Sequence, residues 1–158
     1  MRITGFEKLV ALACLYSAGF DVWDDYSKTL DSLFEKYPND DTLLALEFDS
    51  DEKNAVCHTL KSCNMQEHDI DRFGAYLMGL LEREYRKEGV QLIEFSNKAY
   101  AVWQSLTSFL PFDLFTSYPF HVLSYADDSV NCNCEEEGRR LYEDIFDYYI
   151  IKKRGEQI

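Results

Sequence analysis

The residues in this chain best suited to chemistry lie in one string, His121-Val122-Leu123-Ser124-Tyr125-Ala126-Asp127-Asp128. Adjacent carboxylates with a histidine nearby are the side chains that hold a hydrolytic metal ion. A second candidate follows at Cys132-Asn133-Cys134. Zinc sites pair such thiolates with a second pair at related spacing, and Cys57, His58 and Cys63 are the available partners, but their spacings match no common zinc module. The three histidines, His58, His68 and His121, share no recognisable spacing with a serine or cysteine nucleophile. No glycine-rich phosphate loop is present; Gly74 and Gly79 fall inside one predicted helix and read as close-packing positions. Trp23 and Trp103 read as core or interface anchors. The residues therefore call for neither metal nor cofactor and assemble no catalytic set.

Tyr-Ala-Asp-Asp also occurs in reverse transcriptases, where the aspartates sit on a hairpin and bind catalytic metal ions. That chemistry needs a further carboxylate and a large basic cleft for template and primer. This chain has 158 residues and a formal net charge of -13, from 29 acids and 16 bases. Three readings of the string remain: a buried tyrosine before a solvated acidic turn, an acidic contact surface formed by Asp127 and Asp128, and a small metal-dependent enzyme using Asp127, Asp128 and His121.

The charge also sorts partners. Residues 1–67 carry 13 acids and 6 bases, residues 68–100 carry 6 and 5, and residues 101–158 carry 10 and 5. Both ends are acidic, so nucleic acid is not an expected partner, whereas a basic protein is. Five cysteines at irregular spacing fit free thiols in a reducing cytosol. No apolar run approaches the ~20 residues of a membrane span. Leu9 to Tyr16, behind Arg2 and Lys8, has the look of a short signal-peptide core, but Glu7 interrupts the charged region and an amphipathic first helix is expected instead.

Apolar content of 46%, with seven Gly and three Pro, predicts few turns and long elements. The expected architecture is all-α, a single domain over residues 1–158 with six to eight helices. Its organising element runs from Val90 to Leu110, with Leu92, Phe95, Ala99, Val102, Leu106 and Phe109 at steps of three and four, widened by Ile93, Trp103 and Leu110. Leu92, Phe95, Ala99, Val102, Trp103 and Leu106 are the expected core of this helix. Gly89 and Pro111 bound it. Ahead of it, Thr4 with Glu7 reads as a capping box, followed by Phe6, Leu9, Val10, Ala13 and Tyr16 on one face. Asp21 reads as the cap of a second helix, Pro38 to Asp41 as a turn, and Leu43 to Phe48 as a short helix. Asp49 with Glu52, or Ser50, reads as the next cap. That helix ends at Cys63-Asn64, and His68 or Asp69 starts the one that runs to Gly89. Pro111 to Cys134 is the irregular, aromatic-rich segment, with a short strand or extended piece at His121–Tyr125. Asn133 reads as the cap of a last helix that opens on Glu135, Glu136 and Glu137, where the macrodipole favours anions.

Phe120 to Tyr125, the acidic turn, and then Leu141-Tyr142-Glu143-Asp144-Ile145-Phe146-Asp147-Tyr148-Tyr149 give the chain the look of the small acidic helical immunity proteins encoded beside bacterial polymorphic or contact-dependent toxins. The likeness is one of type: size, acidity, helicity and a C-terminal aromatic-acidic helix. It implies a cytoplasmic, non-catalytic protein that neutralises a cognate toxin, often a basic nuclease, by occlusion. The surface expected to do this joins Tyr118 and Tyr125 as aromatic anchors to Asp127, Asp128, Glu135, Glu136 and Glu137. A helical adaptor is the third functional class considered.

Overall fold

Leu9, Val10, Ala11, Leu12, Ala13, Cys14 and Leu15 occupy seven consecutive positions and are all completely buried. A helix that is apolar around its whole circumference has to be enclosed by other elements. The computed structural model, which describes residues 3–49, 51–63 and 70–156, places this helix at the centre. It is α1 (Phe6–Ser17), walled by α2 (Trp23–Lys36), α4 (Glu52–Lys61), α5 (Ile70–Tyr85) and α6 (Leu92–Leu106). The helix expected to organise the fold, α6, is thus one wall around a different centre. Its Leu92, Phe95, Ala99, Val102 and Leu106 are buried as the spacing predicts. Ile93, which widens the stripe, is 48% exposed, and Trp103, expected in the core, is half-buried against its edge, its indole N–H donating to the Phe115 carbonyl at 2.9 Å.

The remaining elements are α3 (Asp41–Glu47), α7 (Phe112–Phe115), a 3-10 helix over Phe120–Ser124, α8 (Ala126–Asn131) and α9 (Glu135–Glu156). Among the described residues there are nine α-helices, the 3-10 helix and no strand. The expected six to eight helices are exceeded because the segment read as irregular folds into short helical turns. His121–Tyr125, read as a strand or extended piece, is mostly 3-10 helix, with Phe120, Val122 and Leu123 buried. One hydrophobic cluster draws on every helix except the short α7, whose Leu114 and Phe115 pack against its edge.

Two antiparallel pairings set the frame for the C-terminal half. At the turn after α5, Gly89 adopts φ 81, a left-handed conformation that glycine takes without a Cβ clash. The turn folds α6 back on α5, so Tyr85 meets Phe95 and Phe73 meets Phe109. Helix α9 then lies on α5 in the opposite direction. Tyr142 and Phe146 reach Tyr85, Tyr149 covers Gly74, and Lys152 pairs with Asp71 at 2.8 Å. Gly74 and Gly79 divide here. A methyl at Gly74 would overlap the Tyr149 phenol, whereas nothing lies near Gly79.

The helix starts differ from their expected caps. Gly5, at φ 99, begins α1 in place of Thr4, and the Glu7 carboxylate still reaches back to accept the Gly5 N–H at 3.2 Å. Val22 stands at the α2 cap rather than Asp21, and α4 is capped by Asp51, which accepts from Lys53 N–H at 3.0 Å, rather than by Asp49. The expected short helix at Leu43–Phe48 forms, with Asp40 accepting the Leu43 N–H. Asn133 is not the first-turn cap of α9: it sits one position earlier at φ 63, and the Cys134 carbonyl accepts the Gly138 N–H. The alternatives at Ser50, Asn64, His68 and Asp69 lie outside the described residues.

These placements separate residues that the sequence pattern groups together. Leu12→Ala should cost about 2–5 kcal/mol, because a fully buried leucine leaves a cavity, whereas Ile93→Ala should stay within about 0.5 kcal/mol. Urea denaturation of both variants checks the contrast. By the same measurement Gly79→Ala should stabilise by roughly 0.4–1 kcal/mol, and Gly74→Ala should destabilise by displacing Tyr149 from α5.

Candidate functional site

Pro111 to Cys134 runs across the outside of α6 and returns to α9, and the aromatics it carries gather in two places. On one side the rings form a chain: Tyr100 lies 6.0 Å from Trp103, Trp103 5.9 Å from Phe115, and Phe115 5.5 Å from Phe112, which is 71% exposed. On the other side Tyr118 meets Tyr148 of α9 edge-on, with centroids 5.2 Å apart at 76°. Tyr118 is 50% exposed and Tyr125 39%. Burial, and behind it the charges of Asp144, Tyr125 and Tyr148, raise the Tyr118 phenol above its usual range. His121 adds its ring to Tyr125 at 5.4 Å. Asp144 and Tyr148 stand one helical turn apart on α9, and Ile151, 63% exposed, continues the same face.

This arrangement divides the surface expected from the sequence. Tyr118 pairs with Tyr148, one helical turn from Asp144, and Tyr125 pairs with His121. Glu135, Glu136 and Glu137 are exposed on the first turn of α9. Glu136 precedes Tyr148 by twelve residues, about 18 Å of helix at 1.5 Å per residue. The glutamates therefore form a separate patch.

Asp127 and Asp128 also part company. Both open α8, so the solvated turn is a helix start, and the two aspartates are not on a hairpin. Asp128 is exposed, but Asp127 is turned into the fold, with Oδ1 fully buried. Burial first, then the neighbouring Asp128, raise its carboxyl above the usual aspartate range. It faces the wholly buried Tyr142, whose phenol burial and the Asp127 charge push far up. Ser96 of α6 lies at the same junction and donates its hydroxyl to the Ile93 carbonyl. Asp127 thus works at the α6–α8–α9 contact rather than on an open face.

The chemistry of the cysteines is equally local. Burial and the neighbouring Cys63 push the Cys14 thiol well up, which keeps it un-ionised and unreactive. Cys132 and Cys134 are exposed on the link between α8 and α9. Among the described residues no three His, Cys, Asp or Glu side chains converge in a metal-binding group. No helix among them is long and apolar enough to cross a membrane.

A second surface escaped the sequence reading. Residues 21–52 hold eleven acids and two bases, so most of the net charge sits on α2, α3 and the start of α4. Phe48 projects from its middle, 80% exposed, with Leu44 beside it at 38%. Summing charge over residues 1–67 dilutes this run; a shorter window reveals it, although nothing in the pattern announces that Phe48 is uncovered. Burial, and then the hydrogen bond and like charge of Asp31 across the α2–α3 contact, push the Glu47 carboxyl up to about 7. The folded protein therefore binds more protons here than the unfolded chain between the ordinary value of 4.5 and about 7. The protonated carboxyl's contribution is fully present below that window and is lost as pH rises through it. Glu47→Gln, which mimics the protonated form, should flatten the fall in stability across this window, read from urea midpoints at successive pH values.

Comparisons with family models, with curated proteins and with solved structures each returned no match to this chain.

Proposed function

We propose that this chain is a non-catalytic binding protein, an immunity protein that neutralises a basic bacterial toxin domain in the cytoplasm by covering its working surface. The observation that carries this reading is the pairing of Tyr118 with Tyr148, one helical turn from Asp144 on α9, in a segment that leaves Tyr118 50% and Tyr125 39% exposed. Tyrosine supplies large, rigid contact area with few rotors to freeze, and interface energy concentrates on such anchors. The acidic patches around it, Glu135 to Glu137 with Asp128 and the run over residues 21–52, act at longer range. Their field raises the encounter rate with a basic partner and disfavours acidic ones. Asp127 enters this account as the residue that seats α8, and through it Tyr125, against α9.

The test is binding of the protein to the products of neighbouring genes, measured by calorimetry and stopped-flow mixing, with protection scored in cells that express both. Association with a basic toxin domain should slow as salt rises, because exposed charges are screened beyond about 10 Å at 0.1 M ionic strength. Tyr118→Ala should weaken binding about tenfold or more, on the order of 1.4 kcal/mol, with the melting temperature nearly unchanged. Failure of the wild-type protein to bind any encoded neighbour would remove the immunity reading.

A further inference from the structure

We infer that the corner between Tyr118 and Tyr148, with Asp144 one helical turn before Tyr148, is a receptor for a single arginine side chain of the partner. The inference rests on the binding role proposed above and adds the chemistry of the group that is recognised.

Three features of the corner select a cation. The faces of tyrosine rings carry negative potential, and Tyr118, 50% exposed and held at 76° to Tyr148, leaves ring surface open for a flat cation to stack on. Asp144 is exposed and stands one helical turn before Tyr148 on α9, yet it makes no ion pair among the described residues. The nearest competitor in sequence is Arg140, one turn earlier on α9, and it makes no ion pair with Asp144. Elsewhere the chain supplies its own cations to its rings: Lys36 over Tyr37 at 5.5 Å, Arg86 over Tyr85 at 5.7 Å and Lys98 over Phe20 at 5.5 Å. Among the described residues no such internal cation covers Tyr118, Tyr125 or Tyr148.

Arginine rather than lysine is selected by shape. A guanidinium is planar and weakly hydrated, stacks on an aromatic face, and presents N–H groups in its own plane to a carboxylate beside the ring. A lysine ammonium is a strongly hydrated point charge that gains little from the ring pair.

The probe is N-acetyl-arginine amide, titrated into the full chain and followed by NMR, with the lysine and citrulline analogues as controls for shape and charge. Saturable shifts of the Tyr118 and Tyr148 ring signals are expected, with arginine at least threefold tighter than lysine and citrulline not saturating. Asp144→Asn should weaken arginine binding at least threefold. Tyr118→Ala should abolish the saturable shift of Tyr148, while Tyr118→Phe, which keeps the ring, should retain binding. Equal affinity for arginine and lysine, absence of saturable shifts, or saturable shifts confined to residues 21–52 would each overturn the inference. The immunity reading is decided separately, since wild-type binding to a neighbouring gene product does not depend on the amino-acid probe.

Discussion

Enclosure of α1 is the constraint on which the rest of the molecule depends. Seven consecutive buried residues have no polar face to turn outwards, so every direction around this helix must be filled by another apolar surface. Helices α2, α4, α5 and α6 supply those surfaces, and each is left with one face for solvent. The polar groups drawn into this shell are satisfied locally. The Tyr26 hydroxyl meets Thr59 Oγ1 at 2.6 Å between α2 and α4, and Tyr16 donates to Glu52 at 2.7 Å. Glu7, nearly buried beside the start of α1, is answered by the Gly5 N–H and, at 3.9 Å, by Arg72. The cost of leaving such groups unpaired is borne elsewhere, at the Tyr142 hydroxyl and Asp127 Oδ1, which are buried without a hydrogen-bond partner among the described residues.

Because α2, α4, α5 and α6 are committed to α1, the segment after Leu106 is built on the outside. It contributes fewer wholly buried residues and more rings that are covered on one side only. Tyr118, Tyr125 and Phe112 are exposed for this reason, and α9 gathers Tyr118 through Tyr148 while anchoring itself to α5 through Tyr149 and Gly74. The candidate surface is a by-product of how the core is closed: the elements that cover the frame from outside are the ones left to meet a partner.

The helical class and most of the α6 stripe were legible in the sequence, because three-and-four spacing leaves a mark that packing seldom overrides. The rank of the helices was not. Leu9, Val10, Ala13 and Tyr16 mark one face of α1, and that face conceals that Ala11, Leu12, Cys14 and Leu15 are just as deeply buried. Caps were harder still, since Asp21 against Val22 or Asp49 against Asp51 differ by one or two residues and by energies that tertiary packing outweighs. For the site, Tyr118 and Tyr125 were legible as exposed aromatics in an irregular segment. Asp144 and Tyr148 were hidden by distance along the chain, and Asp127 by its resemblance to the exposed Asp128 next to it.

The position of α1 in the chain has a consequence for synthesis. The helix at the centre of the fold leaves the ribosome before the helices that enclose it, and α5 and α6, two of those walls, are complete only when Leu106 has been added. Until then α1 is an apolar segment with no complete shelter, so the native core closes through contacts distant in sequence. A chain halted before Leu106 would therefore leave the apolar surface of α1 uncovered.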